Sequence, residues 1–372
     1  MLENNLSSWQ NAKKLLVDYQ NKLNPVIDEY FDEQIKNVAE TYPLHSVKAL
    51  EVYRDICTRG GKRARGAFSY YVYKMYGGQN DTEAIKMGIV LELIHAYLLL
   101  LDDFMDLSET RRHGPTGHKL FSKYFEDQNF ANPKINSKHF GDSIAVTTAA
   151  LGAHMALRLL NSVDFSSDIK ISLSNNLNEK LVTTGHGQIT DVVNGFNPNV
   201  TEEDVLKMLE WKTGVYTYEN PIHTGAIMAG ITDKSQFKIL SDYAISAGVA
   251  FQIQDDILGV FGSSDDTGKS VYDDLREGKY TLLAHFALKN GSEDQIQKLK
   301  LILGNPEIGD IELAEAKKIF VESGSLEYSK KTALNLVNKA KESLQKNKSE
   351  NWQQIGYEYL LGIADYMIER SL

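Results

Sequence analysis

The chain is short of cysteine, proline and positive charge. Cys57 is the single cysteine in 372 residues, so no internal disulfide can form and a reducing cytoplasm is the expected setting. Lysine and arginine number 40 against 50 aspartates and glutamates, a net charge of −10. That balance argues against a general nucleic-acid binder, which needs a broad basic face to meet phosphate, while leaving room for local basic clusters. Prolines number only seven, with none between Pro43 and Pro115 or between Pro221 and Pro306, and long stretches without proline suit helices. Residues 1–20 are polar and periodic, without the apolar core of a signal peptide. The most apolar run, residues 87–101, is interrupted by Glu92 and His95. It falls short of the roughly 20 residues that a bilayer span needs, so it is read as a buried helix and no transmembrane segment is expected.

What is present reads as helix. Apolar residues make up 42% of the chain, enough for a substantial core. Leu16, Tyr19 and Leu23 recur at helical intervals, as do Val205, Met208 and Leu209, and then Phe237, Leu240, Tyr243, Ala244, Ala247 and Gly248. Thr201, followed by Glu202, Glu203 and Asp204, has the form of a helix start with acids in its first turn. Residues 87–101 are apolar on nearly every face, which marks a helix at the centre of a bundle. Alternating strand patterns are hard to find. Loops are expected at 76–82, 126–142, 194–199 and 262–269, and Pro221 predicts a kink in an otherwise helical stretch. The expectation is an all-α fold: one large helical domain over residues 1–372, with residues 1–40 as an N-terminal helical arm.

Two acidic clusters close apolar helical runs. In Asp102-Asp103-Phe104-Met105-Asp106, the first and last acids are four apart and share a helix face. Carboxylates crowded in this way repel one another unless a cation joins them, and hard oxygen ligands suit Mg²⁺, which often bridges to substrate phosphates. The second cluster, Asp255-Asp256, ends Phe251-Gln252-Ile253-Gln254, with Gly259 where a third acid would fall. Each cluster alone also reads as a solvated helix end; together they favour metal held between helices.

Cations accompany them. Gly60-Gly61-Lys62-Arg63-Ala64-Arg65 puts Lys62 and Arg65 on one helix face behind glycines that let backbone approach an anion. It reads equally as a basic surface patch, and its spacing is not that of a Walker loop. Arg111-Arg112 follows the first acids and has two readings, pairing with those acids or gripping diphosphate through the guanidinium fork. Lys212-Thr213, Lys269 and Lys279 add further cations, although the mixed charges of residues 274–279 also read as surface. Metal-binding acids, scattered cations and an apolar interior together fit a diphosphate ester with a greasy tail. Metal and cations stabilise the departing diphosphate, and apolar walls shelter a carbocation from water.

Taken in order, these segments resemble the trans-isoprenyl diphosphate synthases, or polyprenyl synthetases, over residues 60–283. The matching stretches are GGKRAR, ELIHAYLLLLDDFMD, RRHGPTGH, KTG at 212–214, FQIQDD at 251–256 and GKSVYDDLREGKYTLL at 268–283. The resemblance implies an isoprenoid-synthase bundle around a central apolar cavity. It implies condensation of isopentenyl diphosphate with an allylic diphosphate to a short all-trans product, in a cytoplasmic homodimer using three Mg²⁺ ions with substrate bound. By the same resemblance, Lys62, Arg65, His95 and Arg112 would bind isopentenyl diphosphate. Arg111, Lys212, Lys269 and Lys279 would hold the allylic diphosphate. Asp102, Asp106 and Asp255 would be the principal metal ligands, supported by Asp103 and Asp256. Thr213 and Gln252 would lie near the reacting carbon with Lys212, and Gln188 and Asp191 would support the site. His113 and His118 form no convincing zinc set.

Four positions depart from the family's pattern: Gly66 stands for a proline, Ala149-Ala150 for Gly-Asp, and Gly259 for the last acid. Tyr97, five residues before Asp102, is expected to floor the tail pocket, and the resemblance implies a short product of about fifteen to twenty carbons. Two other readings remain open. A class I terpene cyclase shares DDxxD and Mg²⁺ but not FQIQDD or GGKRAR. A non-catalytic partner subunit of another prenyl synthase is kept open by Ala149-Ala150.

Overall fold

The structure, a computed structural model, describes residues 6–128, 136–195, 197, 199–263 and 270–368. It is all-helical apart from two-residue strands β1 (Thr110–Arg111) and β2 (Gly114–Pro115). Its contacts cluster into two compact units.

The α4 unit comprises Leu16–Tyr70 and Asn80–Lys170. It contains most of α1 (Ser8–Thr41), α2 (Leu44–Thr58), the start of α3 (Ala64–Met75), α4 (Asp81–Met105), α5 (Gly117–Asp127) and α6 (Ser137–Ser162). In α1, Leu16, Tyr19, Leu23, Ile27 and Phe31 form one buried stripe at the spacing of a helix face. The Asn80 side chain caps α4 by accepting from the Glu83 backbone N–H, and Asp81 and Glu83 in the first turn complement the helix dipole. These polar residues extend the helix beyond its apolar run, so α4 has 25 residues, more than the run alone suggested. By length and composition α4 and α6 could each cross a membrane. The apolar part of α4 is mostly buried, as in a core helix of a soluble protein.

Gly66 has a packing reason. A Cβ there would lie 2.3 Å from Tyr19 Oη, and one at Gly88 only 2.0 Å from it, so the two glycines make the slot that takes the Tyr19 ring. In α6, Ala149 is buried and Ala150 exposed; nothing in the structure explains their replacing Gly-Asp.

The α10 unit comprises Met1–Leu15, Tyr71–Gln79 and Ile171–Leu372. Most of α7 (Ser167–Asn194) leads to α8 (Glu202–Leu209), whose start is the expected Thr201 cap, with Asp204 closing a capping box. A π-helical segment, Glu210–Glu219, follows without a break and passes into α9 (Asn220–Met228). Pro221 stands in the first turn of α9, where its missing N–H costs nothing, so the helix changes type just before the proline. The long α10 (Lys234–Phe261) packs against the π-helical segment. A Cβ on Gly248 would lie 2.6 Å from the Gly214 Cα, so these backbones touch. The remaining helices are α11 (Asp273–Arg276), α12 (Leu282–Asn290), α13 (Glu293–Ile302), α14 (Asp310–Glu322), α15 (Ser325–Lys346) and α16 (Gln354–Ile368). Tyr243 of α10 donates to the Leu360 carbonyl of α16 at 2.6 Å, inside the core.

Candidate active site

Each unit carries its own set of acids and cations. In the α4 unit, the last turn of α4 presents Asp102, Asp103 and the C-cap Asp106. Asp102 keeps 26% of its side chain exposed, whereas Asp103 keeps none. Arg111 of β1 explains the difference. Its Nε donates to Asp103 Oδ1 at 2.5 Å and its Nη2 to Asp102 Oδ2 at 3.2 Å. Burial pulls the Arg111 guanidinium down, but Asp103 and Asp102 more than offset that and hold it above its ordinary range.

The β1–β2 hairpin turns at Arg112 and His113, both left-handed with φ of 51° and 62°. This is the signature of the tight hairpin turn that glycine or asparagine usually makes. The turn brings Arg112 onto the loop before α3. Its Nη1 donates to the carbonyls of Ile56 at 3.3 Å and Arg59 at 3.1 Å, and its Nη2 meets His95 Nε2 at 3.2 Å. Its guanidinium lies so close to Gly61 that a Cβ there would sit 3.1 Å from it, and Gly61 also has φ of 92°, so this position needs glycine twice over. Burial, partly offset by Glu92, pulls Arg112 down to about 10. Burial and then the surrounding arginines, Arg65 foremost, hold His95 well below its ordinary range. It is therefore a neutral imidazole, able to accept from Arg112. Arg65 stands in the first turn of α3 and Lys62 on the exposed loop before it. His118 Nδ1 lies 3.3 Å from the Thr116 hydroxyl.

In the α10 unit a hydrogen-bonded chain runs from the π-helical segment to the second acids. The Thr213 hydroxyl donates to Gln252 Oε1 at 2.8 Å, and Gln252 Nε2 donates to Asp256 Oδ1 at 2.8 Å. Asp256 Oδ2 is buried with no hydrogen-bond partner among the described residues. Burial first, then the Asp274 charge, pushes this carboxyl well above its ordinary range. A cation would satisfy that oxygen, so the donor set suits a hard metal ion. Asp255 is exposed beside it. Lys212 Nζ meets Asp191 Oδ2 of α7 at 2.5 Å, and Lys279 meets Asp274 at 3.1 Å and Glu277 at 2.7 Å. Lys269 lies outside the described residues. Among those described, no three acids, histidines or cysteines converge as a ready-made metal cage.

The chain matches the polyprenyl synthetase family over residues 47–320. It belongs to that family. Two relatives are similar over nearly their whole lengths. One is the geranylfarnesyl diphosphate synthase of Aeropyrum pernix, 30% identical over 88% of this chain and 92% of its own. The other is a short chain isoprenyl diphosphate synthase of Methanothermobacter thermautotrophicus, 32% identical over 96% of this chain and 99% of its own. A crystal structure of geranylgeranyl pyrophosphate synthase from Corynebacterium glutamicum, complexed with isoprenyl diphosphate and magnesium, matches with a TM-score of 0.88 at 24% identity. That match covers 95% of this chain and 99% of that one, and it supports the all-α fold. As a polyprenyl synthetase, this chain is a trans-prenyltransferase.

For this polyprenyl synthetase, the structure gathers Arg112 and His95 into one contact, sets Arg111 on Asp102 and Asp103, and links Thr213, Gln252 and Asp256. Sequence reasoning missed Asp274. A Cβ on Gly259 would lie 2.0 Å from Asp274 Oδ2, so the space where the second cluster lacks an acid is filled by one from α11. The glycine at an expected acid position was the available signal. Also missed was Gly187 of α7, where a Cβ would lie 2.5 Å from the Lys212 backbone nitrogen.

Proposed function

We propose that this prenyltransferase condenses isopentenyl diphosphate with an allylic diphosphate to a short all-trans product, from farnesyl to geranylgeranyl in length. The observation that carries the reading is the cation set of the α4 unit, where Arg112 lies across the glycine loop beside a neutral His95. A half-buried guanidinium pulled down to about 10 gains from an arriving anion, and its fork suits diphosphate. Lys62, Arg65, His95 and Arg112 then bind isopentenyl diphosphate. Arg111, Lys212, Lys269 and Lys279 hold the allylic diphosphate, with Asp191 orienting the Lys212 ammonium.

Asp102, Asp106 and Asp255 are the principal Mg²⁺ ligands in this reading, three ions being held with substrate bound. Asp256 supports Asp255, and Asp103 supports the first set through Arg111. Held by these carboxylates, Mg²⁺ would supply Lewis acidity to the departing diphosphate. The allylic C–O bond breaks, the isopentenyl alkene attacks the resulting cation to form the new C–C bond, and the departed diphosphate removes the proton. Thr213 and Gln252 present fixed oxygen dipoles near the cationic carbon. The protein's work is to neutralise the leaving group and exclude water.

A product assay tests this reading. With Mg²⁺, isopentenyl diphosphate and a dimethylallyl, geranyl or farnesyl primer, discrete longer diphosphates are expected, disappearing on chelation. Hydrocarbon formed without isopentenyl diphosphate would identify a cyclase, and no turnover with any primer would point to a partner subunit. Tyr97 sets the length in this reading. Burial pushes its phenol up to about 12, consistent with apolar surroundings, and five residues of helix put it about 7.5 Å along the axis from Asp102. Tyr97→Ala is expected to shift the product toward the geranylfarnesyl length named for the Aeropyrum relative. An active variant with an unchanged product distribution would sink the floor assignment.

A cytoplasmic homodimer completes the proposal. Cys57 is a buried free thiol, in keeping with a reducing compartment. Val146, Leu151 and Leu157 of α6 are exposed, as are Ile171, Val182 and Ile189 of α7, and apolar surface of this kind marks an interface. Sedimentation equilibrium reads the mass directly, and a monomer at micromolar concentration would refute the dimer.

A further inference from the structure

Arg63 stands between Lys62 and Ala64-Arg65, yet its side chain is buried away from solvent with 2% exposed, against Glu92 at 3%. Its backbone is left-handed at φ 56°, a conformation that residues with side chains rarely adopt. Something must hold it there. The guanidinium uses its whole fork to do so. Nε donates to Asn24 Oδ1 at 3.0 Å, Nη1 to Glu92 Oε2 at 3.0 Å and to the Cys57 carbonyl at 2.6 Å, and Nη2 to the Thr58 carbonyl at 3.2 Å. One side chain thereby ties the loop before α3 to α1, to the end of α2 and to α4.

A buried ion pair is seldom a net gain in stability over a well-packed apolar pair. What this one supplies is position. Glu92 lies three residues before His95 on α4, so the two share a face. Arg112, which Glu92 also attracts, bonds His95 and the carbonyls of Ile56, in the last turn of α2, and Arg59, where the loop begins. Two arginines that answer to one helix thus bond the end of α2 where the loop begins.

We propose that the Arg63–Glu92 pair is a positioning device for the isopentenyl diphosphate site, setting Lys62 and Arg65 against His95 and Arg112. The inference rests on the assignment of those four residues to isopentenyl diphosphate. Neither Arg63 nor Glu92 touches substrate; both act through the loop.

The test is a split between the two substrates. Arg63→Lys keeps a charge opposite Glu92 but loses the fork that reaches Asn24, Cys57 and Thr58. The expected result is a KM for isopentenyl diphosphate raised roughly tenfold to a hundredfold, with KM for geranyl diphosphate changed by less than about twofold. The double variant Arg63→Met with Glu92→Leu removes both members of the pair together, so neither is left as an unpaired buried charge, and it tests the same point in a chain able to fold. It should show the same selective rise. Isothermal titration of isopentenyl diphosphate alone into each full-length variant should show the same loss of affinity. If both KM values rise together, or if the KM for isopentenyl diphosphate is unchanged in either folded variant, the positioning role is overturned. Wild-type protein without turnover dependent on isopentenyl diphosphate overturns the functional reading, and this inference with it.

Discussion

Asp102→Ala is expected to cut prenyl transfer by about a thousandfold while changing unfolding stability by less than about 1 kcal/mol. Asp103→Ala is expected to do something different: to destabilise the fold by about 3–5 kcal/mol. The two acids are neighbours in sequence, but the helix turns them into different surroundings. Asp102 is partly exposed and only one of two carboxylates on Arg111, so its loss leaves Arg111 paired. Its proposed work lies in the metal-assisted departure of diphosphate, and its removal shows in kcat. Asp103 is fully buried on the Arg111 guanidinium, and its loss leaves that cation to Asp102 and Asp106, which are less buried than Asp103. Urea unfolding and steady-state turnover on both variants check the contrast. A large stability loss in Asp102→Ala with modest loss of activity, or a stable Asp103→Ala, would refute the division of roles.

Gly187→Ala carries the second large effect, expected at about a hundredfold in kcat/KM for the allylic substrate with roughly 1–3 kcal/mol of stability. A Cβ at 187 would lie 2.5 Å from the Lys212 nitrogen, 2.8 Å from the Trp211 carbonyl carbon and 2.9 Å from the Lys212 Cα. All three are backbone atoms, which cannot swing aside as a flexible side chain would. The π-helical segment must therefore move away from α7. Lys212 then loses its register with Asp191, which stands one turn beyond Gly187 on α7 and meets its ammonium at 2.5 Å. Gly185 is the control. It lies on the same helix with nothing within 4 Å of an added Cβ, so Gly185→Ala should leave activity intact and gain up to about 1 kcal/mol from helix propensity. Equal effects at the two positions would show that the close approach at Gly187 does not matter.

The residues divide by the range of the forces that place them. Local rules made the helices legible. The Thr201 cap with Asp204 needed only neighbours in the chain, as did the buried stripe of α1 and the i,i+4 spacing of Asp102 and Asp106. The ordered motifs were legible for the same reason, since each is a short segment on one element. Even here local reading fell short where polar residues take part: Asn80, Asp81 and Glu83 begin α4 ahead of its apolar run, because a cap and a dipole favour them there.

What the sequence by itself determined was therefore an all-helical chain of known family with acids and cations in order. Only the tertiary structure decided which acid each cation meets. Arg111 had two readings as a sequence, and the fold sets it on Asp102 and Asp103. Gly259 read as a missing acid until Asp274, 15 residues on, was found occupying its space. Arg63 read as part of a basic loop until Glu92, 29 residues away, drew it inward. Gly66 read as a lost proline until Tyr19 of α1 filled the gap. Helix periodicity and capping act over one or two turns and are written in adjacent residues. Close packing and buried charge pairing join residues that no short segment holds together, and so they are settled only when the chain has folded.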